Sequence, residues 1–495
     1  MKKSSLLLAV LVLSVLTFAF ATNRGFNEVF GPLFHPAPGI PHPRGPRRGL
    51  DSLHRWNVIA INASGLDHTP VAPGENRVFG EQLGPGRASR AMAIVHIAMF
   101  DALDSVVGGY TSYTGTQAAH GPISVDAAIA QAARDTLAAV FPSQTATFDA
   151  YLAEDLAAVF NAHQRANGID LGHRAATAIL TIRTNDGAQI PEPHVGVDYF
   201  PSDQRGHWRQ DPISLIPLAL GAHWGECIPF VINSTSQFRA PPPPEMTSAA
   251  YTAAYNEVKS VGSEVSTQRT EEQTFIGIFW AYDGTPSLCA PPRLYNQLTV
   301  TIADQMGLSA IQFARLLALV NVAMADTAMG IWESKYYYDF WRPIAGIRES
   351  DPGTGPTGLG DGNPDTIGDP NFRPLGAPAS NLTGPNFTPP FPAYPSGHAG
   401  LGGTLFQVMR RFYGTDNVAF TFVSDEFNGQ TRDNNGNLRP YRPRSFSSLS
   451  RAEEENGQSR IYLGIHWSFD KTEGIALGRR VGDYVFDHAF TPTHP

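Results

Sequence analysis

The chain has 495 residues, 42% hydrophobic and only 16% charged, which is enough for two or three domains' worth of core and too apolar for wholesale disorder. A formal net charge of −9 argues against general affinity for nucleic acid, so any anion site must be a local basic pocket. Forty prolines and 47 glycines imply long irregular connections between ordered elements.

Residues 1–21 read as an export signal: Lys2 and Lys3 form a positive start, Leu6 to Phe18 an apolar run, and Ala19-Phe20-Ala21 a small-residue cleavage pattern. That run is short for a bilayer span, and no later stretch offers about 18 uninterrupted apolar residues. The mature chain is therefore expected outside the cytoplasm, periplasmic or secreted, with no membrane segment. Residues 22–80, rich in Pro, Gly, His and Asn, read as an extended N-terminal arm.

An N-terminal helical region is expected over 81–265. Between Arg87 and Val107, Ala91, Ile94, Val95, Ile97, Ala98 and Ala102 recur at helical spacing. Further helices are predicted at Val125–Val140, Thr145–Asn161, Leu171–Thr184, Met246–Val261 and Thr270–Ala281, with a Pro/Gly-rich loop from Gln189 to Pro217 after the first four. In the C-terminal region, 266–495, Leu308 to Ala328 is apolar almost all round and reads as the buried centre of a bundle. Residues 349–390 form a long polar loop. Its Asp361-Gly362-Asn363-Pro364-Asp365 resembles the start of a calcium loop, but the glycine is misplaced and Phe372 stands where a bidentate glutamate belongs. Helices follow at Ser396–Tyr413, Ala419–Phe427, Ala452–Leu463 and Lys471–Ala489. The expected class is mainly α: two packed helical bundles with long irregular loops and the active site in the C-terminal bundle. Cys227 and Cys289 either form a disulfide or are two buried thiols, and neither lies in a zinc pattern.

Three stretches carry chemistry. In Pro395-Ser396-Gly397-His398, Ser396 is a natural N-cap, Gly397 lets a ligand approach the backbone, and the free N–H groups of a helix start hold an oxyanion beside the titratable His398. In Lys335-x6-Arg342-Pro343, seven residues is almost two helical turns, so both cations would point the same way. Six neighbouring aromatics imply burial, which requires an anionic partner, and Asp339 is a candidate. In Ser459-Arg460-x5-His466-x3-Asp470, Arg460 can fork onto two oxygens of a tetrahedral anion, and Asp470, one helical turn on, can orient His466. Taken singly, each stretch also fits a bland reading: a capped helix, a solvated positive stripe, a core histidine.

K-x6-R-P, then P-S-G-H, then S-R-x5-H-x3-D, complete and in order, resembles the signature of the superfamily that joins vanadium-dependent haloperoxidases with type 2 phosphatidic-acid and acid phosphatases. The resemblance is closest to vanadium chloroperoxidases. Trp332 and Phe391 match aromatic positions lining that pocket, where algal bromoperoxidase-type enzymes commonly carry histidine. Phe279-Trp280-Ala281-Tyr282-Asp283-Gly284 resembles the segment whose aspartate supports the second arginine. It implies vanadate as cofactor, with His466 bonded to the metal and Lys335, Arg342, Arg460, Ser396 and the Gly397 N–H holding the oxygens. It further implies His398 as acceptor of a proton from hydrogen peroxide, Lys335 as the group polarising the bound peroxide, and Asp283 as support for Arg460. The reaction implied is oxidation of a halide by hydrogen peroxide to hypohalous acid, which halogenates a small organic acceptor. The alternative is an exported acid phosphatase with His466 as nucleophile and His398 as proton donor. A catalytically idle anion-binding protein would be expected to show gaps in the signature.

Overall fold

A computed structural model describes residues 26–37 and 52–493; the export signal read at 1–21 lies outside them. In chain order its α-helices are α1 Phe26–Phe30, α2 Ser52–Asp67, α3 Gly84–Val107, α4 Val125–Val140, α5 Thr145–Ala157, α6 Ala162–Ile182 and α7 Ala249–Val261, then α8 Glu271–Phe279, α9 Pro291–Met306, α10 Ala310–Tyr338, α11 Pro343–Arg348, α12 Gly397–Tyr413, α13 Leu449–Tyr462 and α14 Ser468–His488. Among the described residues, strand is confined to two short antiparallel pairs, β1 His35–Pro36 with β2 Leu382–Thr383 and β3 Phe420–Phe422 with β4 Arg444–Phe446. The mainly α expectation holds.

Helix starts follow local chemistry. The side chains of Ser124, Asn161 and Ser248 accept from backbone N–H groups in the first turns of α4, α6 and α7, and Thr270 with Gln273 closes a capping box on α8. Three expectations change. The arm expected over 22–80 contains α2, whose Trp56 is fully buried, so apolar packing outweighs the turn-forming composition around it. Helix α9 was not predicted: Pro291-Pro292 opens it, because proline is tolerated where the first N–H groups lack intrahelical partners, and left-handed Gly307 closes it. Residues 419–427 form β3 and a 3-10 turn rather than a helix, since Phe420 and Phe422 are buried and Thr421 between them is exposed, a period of two.

Helix α10 is the centre of the molecule. It packs against α3 from the first half of the chain and against α12 and α14 from the second, so one continuous core runs through both helical regions. Helix α10 is long and apolar enough by length and composition to cross a membrane, but its apolar window is wholly buried inside the protein, as expected for the centre of a bundle. Cys227 and Cys289 are buried free thiols, which removes the disulfide alternative.

The crossing of α12 and α14 places the chemistry. A Cβ on Gly478 would lie 2.0 Å from the Gly400 carbonyl oxygen, and one on Gly474 would lie 2.6 Å from that of Ser396, so only glycines permit this approach. The Ser396 N–H donates to the Asp470 carbonyl at 3.0 Å, tying the start of α12 to the first turn of α14. The P-S-G-H stretch and the His466–Asp470 pair thereby share one end of the bundle.

Candidate active site

The three signature cations converge, but not by lying on one helix. Lys335 is in the last turn of α10; the chain then turns through left-handed Asp339, and Arg342 caps α11 in extended geometry. Asp339 serves neither cation: its carboxylate pairs with His207 at 2.9 Å. Lys335 Nζ instead donates to the Pro392 and Ala393 carbonyls at 2.7 and 2.8 Å. Burial first, and Arg342 beside it, hold the Lys335 ammonium well below its usual range. Arg342 donates through Nε to Phe391 O and through Nη1 to Ile465 O, each at 2.9 Å, and burial pulls it down to about 9. Arg460, on α13, forks onto both oxygens of Asp283 at 2.5 and 3.1 Å, as the resemblance implied.

Hydrogen-bond chemistry fixes the two imidazoles. His466 precedes α14 rather than lying within it, with Asp470 in that helix's first turn. Its Nδ1 is 2.7 Å from the Asp470 carboxylate and its Nε2 is 2.9 Å from Arg342 Nη1. A guanidinium only donates, so Nδ1 carries the proton and Nε2 presents a lone pair. Burial, followed by the charges of Arg342, Lys335 and Arg460, holds His466 well below the normal histidine range, which keeps this neutral tautomer. Burial pushes Asp470 up to about 7, against the pull of Lys335 and the Trp467 N–H. His398 faces the Ala281 carbonyl through Nε2; a carbonyl only accepts, so Nε2 holds the proton and Nδ1, 3.9 Å from Asp283, is the basic atom. Burial and then Arg460 bring His398 down to about 4.

Ser396 caps α12, and the Gly397 and His398 N–H groups precede any intrahelical acceptor. The Trp332 and Phe391 ring centroids lie 4.9 Å apart with the rings tilted by 59°, and 5.8 and 5.1 Å from Lys335 Nζ. Every site residue named from the sequence falls in this region. Gly397, Asp283, His398, Arg460, His466, Trp332 and Phe391 line one cavity, and Lys335, Arg342, Ser396 and Asp470 stand directly behind it.

Sequence reasoning missed the supports. Tyr295 Oη and Asn456 Nδ2 both donate to the His398 carbonyl, at 2.8 and 3.0 Å, and Tyr295 lies on the unpredicted α9. It also missed the walls supplied by the first half of the chain: Val29, Phe30, His68, Leu83, Ile216, Leu218 and Leu220. Gly221 was a usable signal, because a Cβ there would sit 2.2 Å from the Trp332 ring at a positive φ of 78°.

The donor set fits a tetrahedral oxyanion. Three buried cations meet two carboxylates, and Arg342 Nη2 and Arg460 Nε are buried donors without partners. An unpaired buried N–H costs about 1–3 kcal/mol, an expense an anion in the cavity would relieve.

Comparison with known proteins bears on the same residues. Residues 315–494 match the family model of the VCPO second helical-bundle domain. The chain is 30% identical over 500 residues to the vanadium chloroperoxidase of Curvularia inaequalis, covering 84% of this chain and 78% of that protein. Among solved structures, the fold is similar to that of the first bacterial vanadium-dependent iodoperoxidase, with a TM-score of 0.68 at 22% identity over 91% of this chain and 100% of that one. It is also similar to an apo-type bacterial vanadium-dependent chloroperoxidase, with a TM-score of 0.60 at 16% identity over 82% and 94%.

Proposed function

Because the chain belongs to the vanadium haloperoxidase family, we propose that it holds vanadate at the floor of this cavity and oxidises a halide with hydrogen peroxide to hypohalous acid, which halogenates a small organic acceptor. The observation that carries the reading is the pair of partnerless guanidinium N–H groups, on Arg342 and Arg460, at a site where His466 presents Nε2 as a lone pair. His466 Nε2 would bond the metal. Lys335, Arg342, Arg460, the Ser396 hydroxyl and the Gly397 N–H would neutralise and hydrogen-bond its oxygens. When bound, pentavalent vanadate supplies Lewis-acid activation of peroxide with no change of oxidation state.

The chain's own groups do the rest. His398 Nδ1, kept neutral by burial and by Arg460, takes a proton from hydrogen peroxide. Lys335, anchored on two carbonyls, would present an N–H donor to the oxygens of the bound group and polarise them. Asp283 holds the Arg460 fork, Asp470 locks the His466 tautomer, and Trp332 with Phe391 keeps that side dry.

Halogenation of monochlorodimedone by the purified protein with peroxide and bromide or chloride, before and after orthovanadate is added, tests the reading. Activity that requires vanadate and is lost in His466→Ala is expected. Silence with every halide, with p-nitrophenyl phosphate hydrolysis that vanadate inhibits, would move the chain to the phosphatase branch. Export is inferred from residues 1–21, and sequencing of the mature N-terminus is expected to begin at Thr22.

A further inference from the structure

Above the charged floor, the cavity walls change character. Phe30, Leu83, Ile216, Leu220, Phe387 and Pro390 are apolar, and the charged pair in the lining, Asp283 with Arg460, belongs to the floor. The remaining polar wall residue, His68, spends both ring nitrogens internally, on Ser64 O at 2.8 Å and the Gly84 N–H at 3.0 Å.

The roof is a separate piece of chain. A five-residue helix such as α1 has no stability of its own, so tertiary contacts hold it. Phe30 meets Phe26, Phe79 and Phe34 at 4.7, 5.8 and 6.2 Å, and β1 pairs with β2. Glu28 reaches His194 at 3.3 Å, and a Cβ on Gly31 would lie 2.8 Å from the Leu215 carbonyl oxygen, which presses the segment onto the loop that supplies Ile216. Val29 and Phe30 belong to a small apolar cluster outside the main core, and that cluster also contains Ile465, the neighbour of His466.

Resting on the function proposed above, we infer that the upper cavity is a binding site for an uncharged, electron-rich aromatic acceptor, whose size is set by Val29 and Phe30 of the N-terminal segment. A charged acceptor would lose its hydration there without a partner, whereas an aromatic one gains ring contacts with Phe30, Phe391 and Trp332. The acceptor then meets hypohalous acid before it escapes. The oxygen–halogen bond breaks as a carbon–halogen bond forms on the ring, and the displaced ring proton joins hydroxide as water. The carbon is oxidised and the halogen reduced.

The test combines binding and competition. Binding of 2-naphthol to the protein is measured by calorimetry in wild type, Phe30→Trp and Phe30→Ala, with circular dichroism on each. Wild type, supplied with vanadate, peroxide and bromide, then brominates an equimolar mixture of 2-naphthol and 2-naphthol-6-sulfonate, and the product ratio is compared with that from free hypobromite. The wild-type ratio is expected to favour 2-naphthol at least about fivefold over the free reagent, and Phe30→Trp to weaken 2-naphthol binding about tenfold. Phe30→Ala is expected to weaken it less and to admit bulkier naphthols. A ratio equal to that of free hypobromite, or naphthol binding insensitive to both substitutions in folded protein, would overturn the inference. Absence of any bromination by the wild type with vanadate, peroxide and bromide, alongside naphthol binding that depends on Phe30, would overturn the haloperoxidase reading and leave the binding site standing.

Discussion

At the floor of the cavity, buried charged side chains are tied to backbone carbonyls and to one another: Lys335 to Pro392 and Ala393, Arg342 to Phe391 and Ile465, Arg460 to Asp283, His466 to Asp470. At its roof, a five-residue helix rests on phenylalanine contacts and two residues of strand pairing. The difference teaches where specification resides. A preorganised anion site admits few residue types at each position, because a misplaced buried charge costs several kcal/mol. An apolar roof needs only volume, which many sequences supply.

If the floor is a single cooperative site, His466→Ala will lower turnover by at least about a thousandfold, the scale of losing a principal transition-state contact; a loss under tenfold would break the comparison at its strongest point. Asp283→Asn will weaken vanadate affinity about 10- to 100-fold by freeing the Arg460 fork, and equilibrium titration with orthovanadate measures it. Because His398 is held down to about 4, its basic nitrogen stays unprotonated at neutral pH and is lost only in acid. kcat/KM for hydrogen peroxide should therefore fall about tenfold per unit as pH drops below about 4, and an acid limb near pH 6.5 would contradict the burial argument. Phe391→His should lower chloride oxidation relative to bromide about three- to tenfold by wetting the wall, and an unchanged ratio would remove that role. Far from both regions, Thr270→Ala should cost about 1 kcal/mol through the lost α8 capping box, read as a lower Tm with unchanged turnover per folded molecule.

The same difference explains what was legible in the sequence. Lys335, Arg342, His398, Arg460, His466 and their carboxylates were readable because their identities and spacing are the chemistry. The reasons given for three of them needed correction, since Lys335 and Arg342 meet across a helix end and His466 lies outside α14. Helix α10 was readable from its all-round apolarity, although its end at Tyr338 became clear only with Asp339 turned left-handed. Tyr295 and Asn456, which fix the His398 carbonyl, carry no local pattern, because their contacts join residues 103 and 58 positions apart. The apolar walls supplied by the first half were hidden for the complementary reason: a five-residue helix and single apolar residues in irregular chain are too short to show a period.

The most direct measurement is calorimetric titration of the metal-free protein with orthovanadate, repeated with His466→Ala and with Arg342→Ala. The account predicts one tight site per chain in the wild type, competed by phosphate and lost in His466→Ala. Wild-type protein that takes up no vanadate, or a His466→Ala variant that binds it as tightly, would contradict the assignment of the floor as the vanadate site.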